Sequence, residues 1–190
     1  MTRFLMDGPV DAAKTYVFAH GAGGPMVSGF MKTVARGIAA AGIRVVRFEF
    51  PYMSAGRRRP DPQNILLDCF RDVVSELGSP DNLVIGGKSM GGRMASMVAD
   101  ELGVAGLLVY GYPFHPPGRP ERLRTEHLAT LGTKTLIVQG ARDPFGTRAE
   151  VESYDLSRSI TIEWIAEGDH SLGKNLDRPI ALGVSCITSL

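Results

Sequence analysis

The sequence predicts an α/β fold in which a mostly parallel sheet of about six or seven strands carries helices on both faces. One observation is a series of short apolar runs that are continuous rather than alternating, as is typical of parallel strands buried on both sides. A second is that longer stretches of helical period separate these runs, so that strands and helices alternate along the chain. The six runs cover residues 15–19, 44–48, 83–85, 106–110, 135–138 and 160–165.

The remaining elements can be followed from the N-terminus. The first strong strand begins at residue 15, which leaves room before it for one short edge strand over residues 3–6. Helices are predicted where apolar residues recur at three- and four-residue spacing. One of them begins after Asp61-Pro62 and ends before Gly78-Ser79-Pro80, which are typical start and stop signals. The helices are marked by Phe30, Val34 and Ile38; by Leu66, Phe70, Val73 and Leu77; by Met90, Met94 and Val98; and by Leu182, Cys186 and Leu190.

The composition is that of a globular chain. It has 190 residues, 44% of them hydrophobic, which predicts a single domain over residues 1–190. The formal net charge is +1 and no long basic stretch is present, so binding to nucleic acid or to a membrane surface is disfavoured. The N-terminus has no apolar stretch with the length of a signal-peptide core, and no run elsewhere approaches the ~18 apolar residues of a membrane span. We therefore expect a cytoplasmic protein, and the sequence leaves its oligomeric state open.

The two cysteines do not indicate a metal site or a cysteine nucleophile. Cys69 and Cys186 lie far apart in helix-like stretches, and neither stands beside a candidate histidine. In a reducing compartment such residues behave as small buried hydrophobes. No cofactor and no metal are expected.

The pentapeptide Gly87-Lys88-Ser89-Met90-Gly91 follows the run at 83–85 and opens a helix-like stretch. This is the pattern and the setting of a nucleophile elbow, a sharp strand-to-helix turn that holds a serine hydroxyl clear of the backbone. An ordinary strand-to-helix turn is the alternative interpretation. The motif makes Ser89 the candidate nucleophile and leaves Lys88 without an assignable role.

Two later loops supply a carboxylate and an imidazole. Asp143 follows the run at 135–138, and His170 follows the run at 160–165. Because parallel sheets place their ligand sites at the carboxyl ends of the strands, Ser89, Asp143 and His170 are expected to meet there. The imidazole would remove the serine proton, and the aspartate would orient the imidazole.

Each of these residues also has an ordinary interpretation. Asp143 alone could be a turn former and His170 alone a solvated loop residue. Asp169 and Glu167 are the rival acids, but adjacent side chains diverge in a loop, so both are interpreted as surface charges. The joint occurrence in the order Ser89, Asp143, His170 is what favours a catalytic triad.

A glycine-rich turn over residues 20–25 follows the first strong strand. Its backbone N–H groups predict an oxyanion site made by the N–H of Met90 and by that of Ala22, with Gly23 as the runner-up. A phosphate-binding glycine loop is the competing interpretation, but neither of its sequence signatures is present. His20 is expected to brace the loop rather than to act as a base.

With these pieces in order, the chain resembles the α/β-hydrolase superfamily. The resemblance spans nearly the whole chain and rests on HGAGG at residues 20–24, GKSMGG at 87–92, GARDPFG around Asp143 and EGDHSL around His170. Residues 50–60 are similar to those of a compact, lidless branch near the dienelactone hydrolases, which use a cysteine where this chain has Ser89. The resemblance implies the α/β-hydrolase fold without a lid domain. Members similar to this branch include a subunit of a chromatin acetyltransferase complex, which implies a scaffold role as an alternative.

The predicted function is that of a serine hydrolase that cleaves a small carboxylic ester through an acyl-enzyme. The expected partner is a small-molecule acyl substrate. The same machinery would serve a thioesterase, a lactonase or a peptidase. A non-catalytic interaction module that retains the fold is the alternative from another class of function.

Substrate contacts are predicted from loops at the same edge of the sheet. Arg57, Arg58 and Arg59 are candidates for holding an acidic substrate, and a solvated surface turn is the alternative. The candidates for lining an acyl or alcohol pocket, with ordinary packing as the alternative, are Phe114, His115 and Phe145.

Overall fold

The computed structural model describes residues 3–190. Met1 and Thr2 lie outside the described residues. They begin the N-terminal stretch, in which no signal peptide is expected. One sheet runs through the protein, and its strands are β1 (Phe4–Asp7), β2 (Thr15–Ala19), β3 (Arg44–Phe48), β4 (Leu83–Lys88), β5 (Gly106–Tyr110), β6 (Thr135–Gly140) and β7 (Ile160–Ile165).

The order of the strands across the sheet is β1-β3-β2-β4-β5-β6-β7. Strand β1 pairs antiparallel with β3, and every other pair is parallel. Ala19, the last residue of β2, pairs with Phe48 of β3 on one side and with Gly87 of β4 on the other. The carboxyl ends of the central strands are therefore level, and the loops that follow them meet at one edge. This confirms the mostly parallel sheet and places the short edge strand one residue later than predicted.

Helices connect the strands, and their bounds are α1 (Gly29–Ala39), α2 (Pro51–Ser54), α3 (Gln63–Leu77), α4 (Met90–Leu102), α5 (Arg148–Val151) and α6 (Asp177–Thr188). The four predicted helices correspond to α1, α3, α4 and α6. The last of them ends before Leu190, which the spacing had included. The single-turn helices α2 and α5 were not predicted, because four residues are too few to show a helical period.

Two apolar layers cover the sheet. Helices α1 and α6 pack on one face, where Val34 and Ile38 contact the side of the sheet that carries Phe18. Helices α3 and α4 pack on the other face, where Phe70 and Val98 contact the strand side chains that point away from Phe18. Because both faces are covered, strand residues of both orientations are buried, which explains the continuous apolar runs.

The two cysteines do not form a disulfide bond. Cys69 is buried and Cys186 is half-buried, and both are free thiols. Burial raises the pKa of Cys69 to about 11, so its thiol stays protonated at neutral pH. The prediction of a small buried hydrophobic residue is therefore confirmed for Cys69, whereas Cys186 is buried only in part. Over residues 3–190 no helix is long and apolar enough to cross a membrane, and no cluster of histidine, cysteine or acidic side chains has the arrangement of a metal site.

Candidate active site

Ser89 occupies the sharp turn between β4 and α4. Its backbone has a φ of 51° and a ψ of −115°, a conformation that L-residues other than glycine rarely adopt. The turn is held on both sides, because the Ser89 N–H donates to the carbonyl of Tyr110 at 3.1 Å and the Ser89 carbonyl accepts from the N–H of Arg93 at 3.0 Å. Strain of this kind is characteristic of functional sites in which the surrounding structure fixes the backbone.

The two flanking glycines let the helix approach the end of β2. A Cβ atom on Gly87 would lie 2.5 Å from the carbonyl oxygen of Ala19, and one on Gly91 would lie 2.6 Å from the carbonyl oxygens of Ala19 and His20. Contacts this short with backbone atoms cannot be relieved by moving a side chain. The glycines therefore allow the elbow to lie against the loop that begins at His20.

The three predicted residues lie together at the carboxyl ends of β4, β6 and β7. His170 Nε2 is 2.9 Å from Ser89 Oγ, and His170 Nδ1 is 2.7 Å from Asp143 Oδ2. Asp143 is completely buried, whereas the imidazole is partly exposed. The arrangement suits a neutral imidazole that donates from Nδ1 to the carboxylate and accepts the serine proton at Nε2.

Asp143 is fixed by donors that leave it few other orientations. Its Oδ2 also accepts from the side-chain amide of Gln139 at 3.0 Å, and its Oδ1 accepts from the backbone N–H of Phe145 at 2.9 Å. Gln139 is itself buried, and its amide oxygen accepts from the N–H of Tyr112 at 2.7 Å. Gln139 was not among the predicted site residues, although a polar residue near the end of an apolar strand was a usable signal.

The rival acids make other contacts. The Asp169 carboxylate accepts from the backbone N–H of Ser171 at 2.8 Å, and Glu167 forms an ion pair with Arg142 on the surface. Neither contact brings a second carboxylate to the imidazole of His170.

His20 and Tyr52 hold the glycine-rich loop in place. His20 Nε2 accepts from the N–H of Phe50 at 3.1 Å, so the ring carries its proton on Nδ1 and donates from there to the carbonyl of Gly21 at 2.7 Å. Burial lowers the pKa of His20, which keeps this tautomer neutral. The Tyr52 hydroxyl donates to the carbonyl of Ala22 at 3.0 Å. His20 thus braces the loop, and Tyr52 is a second brace that sequence analysis did not find.

The proposed oxyanion donors lie beside Ser89. Met90 is the first residue of α4, so its N–H has no acceptor within the helix and is free for a ligand. Ala22 and Gly23 are exposed and line a cavity together with Ser89. The assignment of Met90, Ala22 and Gly23 as donors stays a prediction.

Two cavities meet at Ser89, and Ala22 and Phe145 line both of them. The first cavity, of about 360 Å³, extends towards α1 and is also lined by Phe30, Met31 and Lys88. The second, of about 380 Å³, extends towards α3 and α4 and is also lined by Leu66, Met94, Arg93 and Arg124. The Ser89 side chain thus has two small cavities beside it.

Lys88 contributes a buried cation to the first cavity. The residue as a whole is half-buried, but its Nζ is enclosed and has no hydrogen-bond partner within residues 3–190. It lies 5.7 Å from the centre of the Phe30 ring. Burial lowers the pKa of Lys88 to about 8, an effect that the carboxylates of Asp143 and Asp169 only partly oppose.

Of the three residues predicted to line a pocket, Phe145 does so. Its ring lies against the His170 imidazole, with 4.2 Å between the ring centres. The prediction was wrong for Phe114 and His115, which are buried and line neither cavity at Ser89. The chain after β5 turns inward, so that Phe114 packs on Tyr112 and Tyr154 as part of the core. His115 Nδ1 donates to the carbonyl of Pro116 at 2.9 Å.

The arginine run does not line either cavity at Ser89. The guanidinium of Arg57 is bound to both carboxylate oxygens of Asp61, at 2.6 and 3.1 Å. Arg58 and Arg59 are exposed, and Arg57 and Arg58 line a separate groove that Ala22 and Gly23 also line. The prediction that this run holds an acidic substrate is corrected accordingly, because one side chain is neutralised internally and the others face solvent.

The fold is shared with known hydrolases. Residues 12–179 match the alpha/beta hydrolase domain family. Similar solved structures include an alpha-beta serine hydrolase homologue from Coxiella burnetii, which is 21% identical, covers 96% of this chain and 89% of its own, and has a TM-score of 0.77. A serine hydrolase without a lid from Xanthomonas campestris is 20% identical, with 98% and 88% covered and a TM-score of 0.78. An esterase domain of a Rhodothermus marinus protein is 16% identical, with 100% and 97% covered and a TM-score of 0.71.

No curated protein matches the chain in sequence. The family match and the similar structures support the alpha/beta-hydrolase fold, a mostly parallel sheet with helices on both faces. Residues 3–190 carry no separate lid domain on this sheet.

Proposed function

The chain belongs to the alpha/beta hydrolase domain family, and on this premise we propose that it is a serine hydrolase that cleaves a small carboxylic ester, or a related acyl substrate, through an acyl-enzyme. The observation that carries the proposal is the continuous line of hydrogen bonds from Ser89 through His170 to Asp143. A serine hydroxyl is a poor nucleophile until an imidazole within hydrogen-bond reach can remove its proton.

In the first half of the reaction, Ser89 Oγ attacks the carbonyl carbon of the substrate while its proton passes to His170 Nε2. The imidazolium so formed is stabilised by the buried carboxylate of Asp143, which keeps Nδ1 protonated throughout. The tetrahedral intermediate collapses when the bond to the leaving group breaks, and His170 Nε2 returns the proton to that group. An acyl group is then attached to Ser89, and the alcohol departs.

In the second half, a water molecule takes the place of the alcohol. His170 Nε2 accepts a proton from the water as the water oxygen attacks the acyl carbon. The same proton passes to Ser89 Oγ when the bond between Oγ and the acyl carbon breaks. The carboxylic acid is released, and the enzyme is regenerated. The negative charge on the carbonyl oxygen in both tetrahedral intermediates is assigned to the N–H groups of Met90 and Ala22, with Gly23 as the alternative.

Thioesters, lactones and peptides could react at the same residues. Ester cleavage is proposed because the two parts of a small ester fit the two small cavities on either side of Ser89. A scaffold role is the competing function, because a fold alone does not establish an activity. The close approach of His170 to Ser89 favours the enzyme, since a scaffold has no need for an activated hydroxyl. A cytoplasmic location remains a prediction.

A fluorophosphonate probe tests the proposal, because it modifies serine residues that an adjacent base activates. We expect the wild-type protein to be labelled at Ser89, and Ser89→Ala to lose both the label and its turnover of short esters by about 10⁴-fold or more. Ser185→Ala, which removes an exposed serine of α6, serves as the matched control and should label normally. If a correctly folded wild-type protein takes up no label and hydrolyses no ester, thioester or lactone, the scaffold alternative replaces this proposal.

A further inference from the structure

Two arginines lie in the second cavity, beside the residue proposed as the nucleophile. Arg93 belongs to the first turn of α4, one helical turn after Ser89, and Arg124 belongs to the segment between β5 and β6. Both are half-buried, and both line the cavity together with Ser89. The mechanism of ester cleavage assigns neither of them a role.

The guanidinium of Arg93 is only partly satisfied. One of its terminal nitrogens donates to the side-chain oxygen of Gln63 at 2.9 Å. Its Nε is enclosed and has no hydrogen-bond partner in the part of the chain that the structure describes. An unpaired donor in a buried position costs free energy, which a ligand that accepts its hydrogen bond would recover.

Arg124 has a fixed backbone and a free side chain. Its N–H donates to the carbonyl of Phe114 at 2.8 Å, and its own carbonyl accepts from the hydroxyl of Tyr112 at 2.9 Å. Within residues 3–190 its guanidinium makes no hydrogen bond to the protein. The chain thus fixes the backbone of Arg124 and leaves the five N–H donors of its guanidinium available at the cavity.

Neither arginine is paired with a carboxylate among the described residues, whereas Arg47, Arg57 and Arg71 all are. Burial and the nearby charge of Arg93 lower the pKa of Arg124. The carboxylate that lines the same cavity, Asp61, is bound to Arg57 through both of its oxygens. The second cavity therefore carries two like charges whose repulsion a bound anion would relieve.

We propose that Arg93 and Arg124 form an anion subsite, so that the preferred substrate is an ester with a carboxylate or phosphate group in the part that occupies the second cavity. The proposal rests on the proposed hydrolase function and names its substrate class. Two guanidinium groups bind a planar carboxylate or a phosphate through several charge-assisted hydrogen bonds, which are stronger than neutral ones. Such a subsite would also orient the scissile carbonyl at Ser89, because the same cavity holds both groups.

The test compares esters that differ in one charge. For the acyl side we would use the mono-p-nitrophenyl ester of glutaric acid and p-nitrophenyl valerate; for the alcohol side, 4-acetoxybenzoate and its neutral methyl ester. In the wild type we expect kcat/KM to favour the anionic member of one pair, which identifies the part of the substrate that enters the second cavity. Equal kcat/KM values within both pairs would overturn the proposal.

Variants then assign the discrimination to these residues. We expect Arg124→Gln and Arg93→Gln each to lower the ratio of anionic to neutral kcat/KM by about 10- to 100-fold, the contribution of a charge-assisted hydrogen bond. Arg124→Lys keeps the charge and should recover part of the ratio. Arg119→Gln is the matched control, because it removes an exposed positive charge from the same segment between β5 and β6 at a residue that lines neither cavity, and it should change the ratio by less than about threefold. Tm values confirm that each variant is folded, and an equal loss in Arg119→Gln would contradict the proposal.

A binding measurement separates this inference from the proposed reaction. Ser89→Ala cannot turn over substrate, so its affinity for succinate and for inorganic phosphate can be measured by calorimetry, with and without Arg124→Gln in the same chain. We expect binding of one of the two anions that the added substitution weakens by at least about tenfold, and the preferred anion identifies carboxylate or phosphate. Binding with no ester hydrolysis in the wild type would contradict the proposed function alone. Hydrolysis without binding of either anion would contradict the subsite alone.

Discussion

At the scale of single residues, Lys88 places a positive charge where the described residues provide no hydrogen-bond partner. Its ammonium is enclosed between the end of β4 and the start of α1, and burial lowers its pKa to about 8. An unfolded lysine has a pKa of about 10.4. Between these values the unfolded chain binds a proton that the folded protein does not. The free energy of unfolding therefore rises with pH over this window. Below the window the folded protein carries the enclosed charge, which lowers its free energy of unfolding.

This predicts that Lys88→Met is more stable than the wild type at pH 7, by about 3 kcal/mol if the whole pKa difference acts on the native state. The advantage should shrink as the pH rises from about 8 to about 10.4. Urea denaturation of both proteins at pH 7 and pH 10 measures it. Lys32→Met, which removes an exposed lysine of α1, is the control and should show no such pH dependence. If Lys88→Met and Lys32→Met respond alike, the ammonium of Lys88 is hydrated rather than enclosed.

The sequence was sufficient for residues whose place follows from chain order. Asp143 and His170 each stand in the loop that follows a strand, so the parallel sheet brings them to the same edge as Ser89. Phe114 and His115 were misplaced, because nothing local shows that the chain after β5 turns into the core. Arg93 could have been found from its position one helical turn after Ser89. Arg124 could not, since the segment that carries it has no regular element to fix its direction.

At the scale of elements, the elbow depends on the close approach of α4 to the end of β2. A methyl group on Gly91 would meet two backbone carbonyl oxygens at 2.6 Å, so Gly91→Ala must push the helix and the loop at His20 apart. We expect unfolding free energy to fall by about 2 kcal/mol or more and kcat to fall with it, because the N–H groups of Met90 and Ala22 would separate. Denaturant unfolding and kcat on a neutral short ester check both effects.

Gly29→Ala is the matched control, since a methyl group there meets no atom within 4 Å. It also lies in a helix, α1, and should leave the unfolding free energy unchanged or slightly higher. Equal stability of Gly91→Ala and Gly29→Ala would show that the elbow does not need the close approach. The distinction between the two glycines is tertiary, so the helical pattern around them could not have revealed it.

Strands were predicted more reliably than short helices for a physical reason. A strand buried on both faces needs nearly every residue to be apolar, and this leaves a signal even over five residues. Helices α2 and α5 have one turn each and bury one residue each, Tyr52 and Val151. Tyr52 nevertheless supports the loop at Ala22 through its hydroxyl. A residue that stabilises the candidate site therefore lies in a helix too short to show a helical period in the sequence.

At the scale of the whole molecule, residues 3–190 include no lid domain, and the two cavities at Ser89 are open and small. We expect p-nitrophenyl butyrate to exceed p-nitrophenyl decanoate in kcat/KM by about tenfold, because the longer chain extends into solvent rather than into a pocket. Rates should also stay proportional to enzyme concentration and show no jump when the substrate forms aggregates. A preference for the decanoate ester, or such a jump, would indicate an apolar surface that the open cleft does not provide.

The acyl-enzyme at Ser89 is the central claim, and trapping it is the most direct test. The wild-type protein would be mixed with p-nitrophenyl acetate, quenched in acid before the steady state, and mapped by peptide mass spectrometry. The account predicts one acetyl group on the peptide that carries Ser89, released p-nitrophenolate in proportion to the sites modified, and neither product with Ser89→Ala. An acetyl group on another side chain, with hydrolysis that persists in Ser89→Ala, would contradict it.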